Sequence, residues 1–168
     1  MGLQEPLSML AAEYESGSPI LVDKIKVLDQ QYAAIRRTRG DGNCFFRSFM
    51  FSYLEHILES QDRAEVDRIK GNIEECRKTL QSLGYADFIF EDFLRFVTSG
   101  EIRKCSDFFE PFILGLTNAT VEQFCKSSVE PMGEENGHVH ITTLSDALGV
   151  PIRVVYLDRS SCDSVGVN

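Results

Sequence analysis

The sequence predicts one domain of the α/β (α+β) class, with helices packed on a small central sheet. Two observations carry this: long stretches repeat apolar residues at helical spacing, and one short stretch, Pro151 to Leu157, is a near-continuous run of β-branched and aromatic residues. At 168 residues, 43% of them hydrophobic, the chain can bury a core without disulfide or metal staples. No internal repeat or Pro/Ser/Gly-rich linker divides it.

In chain order, Leu21 to Ile35 places Leu21, Val22, Ile25, Leu28, Tyr32 and Ile35 close to helical spacing. After the turn Gly40-Asp41-Gly42, Cys44 to Glu59 carries a broad apolar stripe through Phe45, Phe46, Phe49, Met50, Tyr53, Leu54, Ile57 and Leu58, which predicts a helix buried along most of its length. A third helix is expected from Asp62 to Leu83, with Ile69, Ile73, Cys76, Leu80 and Leu83 on one face and Gly84 as its C-cap. The Phe-rich stretch 87–115, which includes Phe88, predicts two or three short helices interrupted at Ser99-Gly100 and Pro111. Thr120-Val121-Glu122-Gln123 is a capping-box pattern, and Thr143 to Leu148 reads as one more helix closed by Gly149. Pro151 to Leu157 then reads as a strand apolar on both faces, which belongs inside a sheet, although no second convincing strand is visible. Residues 1–20 are expected to be flexible, 21–158 to form the domain and 159–168 to be a tail.

Charge narrows the function. With 17 Lys+Arg against 26 Asp+Glu the chain carries a formal net charge of -9, which argues against nucleic acid as a partner. No apolar run approaches the roughly 18 residues of a membrane span, and no signal-peptide pattern opens the chain. An intracellular location, cytoplasmic and also nuclear, is the expectation. Five cysteines without a Cys-x-x-Cys pair fit neither a disulfide framework nor a zinc finger, and no cofactor is expected.

The segment that could carry chemistry is Thr38 to Phe49, a glycine-rich turn running into an amphipathic helix with Cys44 in its first turn. A thiolate at a helix N-terminus is stabilised by the positive end of the helix dipole and by unpaired N–H groups, which makes it a nucleophile. Gly40 and Gly42 allow backbone conformations that turn N–H groups into a concavity, where they could hold the oxyanion of a tetrahedral intermediate. A cysteine without such a turn is usually a small buried hydrophobe, the reading given to Cys76, Cys105, Cys125 and Cys162.

Asp41-Gly42-Asn43-Cys44-Phe45-Phe46-Arg47 resembles the nucleophile motif of the ovarian-tumour (OTU) deubiquitinating cysteine proteases at all seven positions. Ala34 to Gly40, Phe51 to Glu55, Val129 to Met132, His138 to Leu148 and Val154 to Asp158 narrow the resemblance to the otubain branch, peptidase family C65, in family order. The resemblance implies a papain-like thiol isopeptidase that cleaves the amide between ubiquitin's C-terminal glycine and a lysine. It makes Cys44 the nucleophile and Asp41 a catalytic-site residue in the turn. Gly40, Gly42 and Asn43 then belong to the oxyanion turn, the two glycines being expected as hinges. Implied partners are ubiquitin, its chains and ubiquitin-conjugating enzymes, with the chain a monomer.

Two departures accompany the resemblance. The family takes its general base from a histidine-bearing strand that would lie beyond Asn168, and it carries a longer helical insertion at Phe93-Leu94. A truncated or spliced form with impaired activity is therefore expected, the alternative being a non-catalytic regulatory module that binds ubiquitin or a conjugating enzyme. Among the histidines present, His56 lies roughly 18 Å along its helix from Cys44. His138 and His140 alternate as in an extended segment; a metal site there is the weaker reading, and substrate contact by Glu135 and His138 the better one.

Overall fold

The computed structural model describes residues 1–82, 84 and 90–160, apart from the side chains of 90 and 91. Leu83, Phe88 and Cys162, together with the end of the expected tail, lie outside the described residues. The chain forms two compact units, one of residues 1–38 and 153–168 and one of residues 39–152.

In the first unit β1 (Gln4–Glu5) pairs antiparallel with β2 (Ile35–Arg36), with Gln4 opposite Arg36 and Glu5 opposite Ile35. Between them α1 (Leu7–Tyr14) packs on α2 (Pro19–Asp29), burying Leu7, Leu21 and Ile25. Residues 1–20, expected to be flexible, include β1 and α1, and Leu7 of α1 is buried. The helix expected over 21–35 stops at Asp29, since Ile35 leaves helical phase to pair with Glu5. Lys24, almost fully buried, bonds through Nζ to Asp158 Oδ1 (2.5 Å), Asp158 O (3.1 Å) and Ser160 Oγ (3.2 Å), which draws 153–160 back onto α2.

The strand expected at Pro151 to Leu157 is absent. These residues form no ladder, and Val154, Val155, Tyr156 and Leu157 are 37–61% exposed. A strand requires a neighbour for its N–H and C=O groups, and among the described residues the only sheet is the β1–β2 pair.

The second unit is helical: α3 (Cys44–Ser60), α4 (Arg63–Ser82), α5 (Phe90–Lys104), α6 (Ser106–Thr117), α7 (Val121–Phe124) and α8 (His138–Leu148). α3 and α4 form where predicted, and Phe46, Tyr53 and Ile57 meet Ile69 in a core that also takes Phe93 and Leu94 of α5 and Leu144 and Leu148 of α8; the α3 stripe is narrower than expected, with Leu54 and Leu58 exposed. α5 packs against α8 and touches α3, α4, α6 and α7. A second cluster joins Ile102, Phe109, Ile113, Phe124, Cys125 and Val129.

The interruptions expected at Ser99-Gly100 and Pro111 do not occur. Ser99 and Gly100 lie inside α5, and Pro111 inside α6, where burial of Phe109 and Ile113 on either side offsets the one backbone bond a proline removes. The capping box forms as predicted: Gln123 N–H donates to Thr120 Oγ1 (3.2 Å) and Thr120 N–H to Gln123 Oε1 (3.0 Å). α7 runs straight into a π-helical turn, Cys125–Val129, which the sequence pattern did not signal. α8 begins at His138, five residues earlier than expected, because His140, Thr143, Leu144 and Leu148 recur at helical spacing on its buried face. His138 and His140 are therefore helical, not extended.

Candidate active site

Cys44 is the first residue of α3 and is half-buried. The first helical bond of α3 is Arg47 N–H to Asn43 O (3.0 Å), so the N–H groups of Cys44, Phe45 and Phe46 precede any acceptor within the helix. These are the donors a developing oxyanion beside the Cys44 thiol could use.

The preceding turn is tied from within and from outside. Asp41 accepts from Arg47 through both carboxylate oxygens (3.1 and 3.0 Å) and from the Asn43 N–H (3.2 Å). The Arg47 guanidinium holds the Asp41 carboxyl below its ordinary range, so Asp41 is ionised at neutral pH. Gly42 has φ +76°, and a Cβ there would lie 1.7 Å from Gly133 O, so the turn and the 133 backbone touch where only glycine fits. Gly42 O accepts from Asn136 Nδ2 (3.0 Å) and from Arg95 Nη2 (3.2 Å). Asn43 occupies the N-cap position but does not cap; its Oδ1 accepts from Gly133 N–H (3.0 Å) and Arg95 Nη2 (2.6 Å). A Cβ at Gly40 would meet nothing.

The expected site residues thus fall on two adjoining segments. Asp41, Gly42, Asn43 and Cys44 form one. Glu135, exposed, belongs to the 133–136 segment that packs on it, and His138, also exposed, opens α8 just beyond. Sequence reasoning missed Arg95, Gly133 and Asn136. The available signal was the charged Arg95 inside the apolar run Phe93-Leu94-Arg95-Phe96-Val97.

His140 is a core residue, 3% exposed, with its ring 5.5 Å from that of Phe124. Its Nδ1 accepts from Gly137 N–H (3.1 Å), which leaves the proton on Nε2 to be donated to Ser128 O (3.2 Å). Both nitrogens are engaged, and among the described residues no group of His, Cys, Asp and Glu is arranged to hold a metal. Burial, aided by the Arg95 charge, pushes the His140 imidazole below its ordinary range. The other described cysteines are held as thiols: burial raises Cys76 and Cys125, and a hydrogen bond to the Glu101 carboxylate raises Cys105.

The family model for peptidase C65, otubain, matches residues 1–94 and 93–168 of this chain. The chain belongs to the otubain family. It is 65% identical over 207 aligned positions to the OVARIAN TUMOR DOMAIN-containing deubiquitinating enzyme 1 of Arabidopsis thaliana, covering 99% of this chain and 68% of that protein. It is 38% identical to the human ubiquitin thioesterase OTUB1, covering 91% and 68%. The solved complex of h/ceOTUB1 with ubiquitin aldehyde and UBC13~Ub superposes with a TM-score of 0.82 at 28% identity, over 95% of this chain and 76% of that one. In this otubain the two family matches meet at Phe93-Leu94, where a family insertion was expected, and the plant alignment has more positions than this chain has residues. α5 crosses that junction unbroken, with Phe93 and Leu94 both fully buried.

Two outcomes follow for this otubain. Gly42→Ala is expected to cost at least about 2 kcal/mol in urea unfolding, because the left-handed φ and the Gly133 contact both oppose a side chain, whereas Gly40→Ala stays within about 0.5 kcal/mol of wild type. His140 is neutral in the fold with a lowered pKa, so its contribution is present above its ordinary value of 6.5 and is lost as pH falls below that through its folded value. The urea midpoint is expected to be level above about 6.5 and to decline below it, a decline reduced in His140→Gln, whose amide can make both bonds uncharged; the same decline in both proteins would contradict this.

Proposed function

We propose that this otubain is a thiol isopeptidase that cleaves the amide between the C-terminal glycine of ubiquitin and a lysine, with Cys44 as nucleophile. The observation that carries the reading is the Asp41-Gly42-Asn43-Cys44 turn, fastened against the 133–136 segment at the start of α3, in a chain whose relatives are named ubiquitin thioesterases and a deubiquitinating enzyme. Cys44 Sγ attacks the glycine carbonyl carbon, and the carbonyl electron pair moves onto oxygen, where amides at the start of α3 receive it. Collapse of that intermediate breaks the C–N bond and the lysine amine leaves with the proton the thiol gave up; water then cleaves the thioester.

The proton carrier between thiol and amine is the demanding part. Within these 168 residues His140 has both nitrogens committed to the core, and His56 sits twelve positions along α3, roughly 18 Å away at 1.5 Å per residue. An electrophile that needs no leaving-group acid is therefore a milder demand than an amide. Glu135 and His138 are proposed to meet the ubiquitin tail, since their segment abuts the turn.

A second reading is binding without cleavage. The solved relatives in complex with UBC13~Ub and UBCH5B~Ub favour it, and ubiquitin-conjugating enzymes are proposed as partners on that ground.

The test is reaction with ubiquitin bearing a thiol-reactive electrophile at its C-terminus, read by intact mass. The expected result is one adduct, absent in Cys44→Ala, with hydrolysis of a ubiquitin dimer slower than by the Arabidopsis relative. No adduct would contradict the isopeptidase reading, and retained ubiquitin binding alongside it would favour the second.

A further inference from the structure

α5 contributes to its unit one core residue that apolar packing does not call for. Arg95 is fully buried, and its guanidinium lies over the Phe46 ring, 4.8 Å from the centroid. Nη1 donates to Val129 O (2.8 Å), and Nη2 faces Gly42 O (3.2 Å), Asn43 Oδ1 (2.6 Å) and Glu134 O (3.0 Å). Nη2 has two hydrogens for three acceptors, so at least one is shared. An apolar side chain of similar volume would fill this space with less desolvation cost, so packing alone does not account for a buried cation. What the guanidinium adds is a rigid planar fork that holds separate pieces of backbone at fixed distances.

The pieces are those that matter to Cys44. On one side are the two residues immediately before it, Gly42 through its carbonyl and Asn43 through its side chain. On the other are Val129, at the end of the π-turn, and Glu134, beside Glu135. The end of the π-turn supplies the acceptors: its Glu130 N–H bonds Cys125 O (2.9 Å), and the last-turn carbonyls, which have no helical donor, are met by side chains, Ser128 O by His140 and Val129 O by Arg95. His140 then holds Gly137 and Ser128, the two ends of that same segment.

We propose that Arg95 is the positioning residue of the site, setting the direction of the Gly42–Cys44 backbone, and with it the Cys44 thiol and amides, by strapping the turn to the 129–134 segment. The role deepens the isopeptidase reading and rests on it for the chemistry, but the strap is testable without ubiquitin. Arg95→Met keeps most of the volume and removes the fork. In the full chain, amide hydrogen exchange is expected to rise together over 41–44 and 131–137, by about tenfold or more, while amides of Tyr53 to Ile57 in α3 keep their protection. Toward the ubiquitin electrophile, the maximal rate of adduct formation is expected to fall about 100-fold with its half-saturating concentration unchanged, a split that general loosening of the fold would not give.

Unchanged exchange in the two segments, or a rise spread evenly over residues 39–152, overturns the proposal. If Arg95→Met does not melt cooperatively, Asn43→Ala takes its place: it removes one acceptor and leaves Arg95 in the core, and the same paired rise is expected. If the wild-type protein forms no ubiquitin adduct, the isopeptidase reading fails while the strap stands or falls on the exchange pattern.

Discussion

Burying a guanidinium costs several kcal/mol unless it finds acceptors, and in this otubain Nη1 and Nη2 of Arg95 find theirs only because separate stretches of chain deliver oxygen atoms to one point. Much of the site's architecture serves that requirement. α5 must carry the cation inward at Arg95 while Phe93, Leu94 and Thr98 fill the space beside it. The turn after α7 must end at Val129 so that Ser128 O and Val129 O face side chains instead of a further helical N–H. Gly42 must be glycine for the two backbones to touch, and Gly133 opposite it sits at a positive φ that favours glycine. None of the Arg95 contacts is local in sequence, and they fasten from outside a turn that Asp41 and Arg47 close from within.

The electrostatics sort the titratable groups into two kinds. Asp41 is ionised and paired with Arg47, which closes the turn on its own side. His140, on the far side, is kept neutral by burial and by the Arg95 charge, so a second cation does not form beside the first. Cys76, Cys105 and Cys125 are each biased toward the thiol, two by burial and one by a carboxylate. Cys44 opens α3 and Cys105 caps α6, but the Cys105 thiol is bonded to the Glu101 carboxylate (3.4 Å), whereas the Cys44 thiol stands beside the amides at the start of its helix. That difference of placement marks it as the nucleophile of the proposed reaction.

What could be read in the sequence was what is local. The stripes of α3 and α4 and the Thr120 capping box needed only residues within a few turns of one another, and so did the turn before Cys44. Misreadings came where distant contacts outweighed local pattern. α1 is a single short helix in a stretch without a long apolar repeat, yet it docks on α2. Pro111 breaks helices in general, but α6 is held by Phe109 and Ile113. His138 and His140 look alternating over three residues and only reveal a helix when Leu144 and Leu148 are seen on the same buried face. Pro151 to Leu157 has strand composition without a partner to pair with. Arg95 shows its purpose only when Asn43 and Glu134, many residues away on either side, are brought to it.

The turn at the start of α3 makes Cys44 chemically distinct from the other described cysteines. Alkylation of the native protein with iodoacetamide, mapped by mass to each site over time, tests this without any assumption about substrate. Cys44 is expected to be modified about tenfold or more faster than Cys105, which is also half-buried, and faster still than Cys76 and the fully buried Cys125. Modification of Cys105 at the same rate as Cys44, or ahead of it, would show that the turn does not activate Cys44.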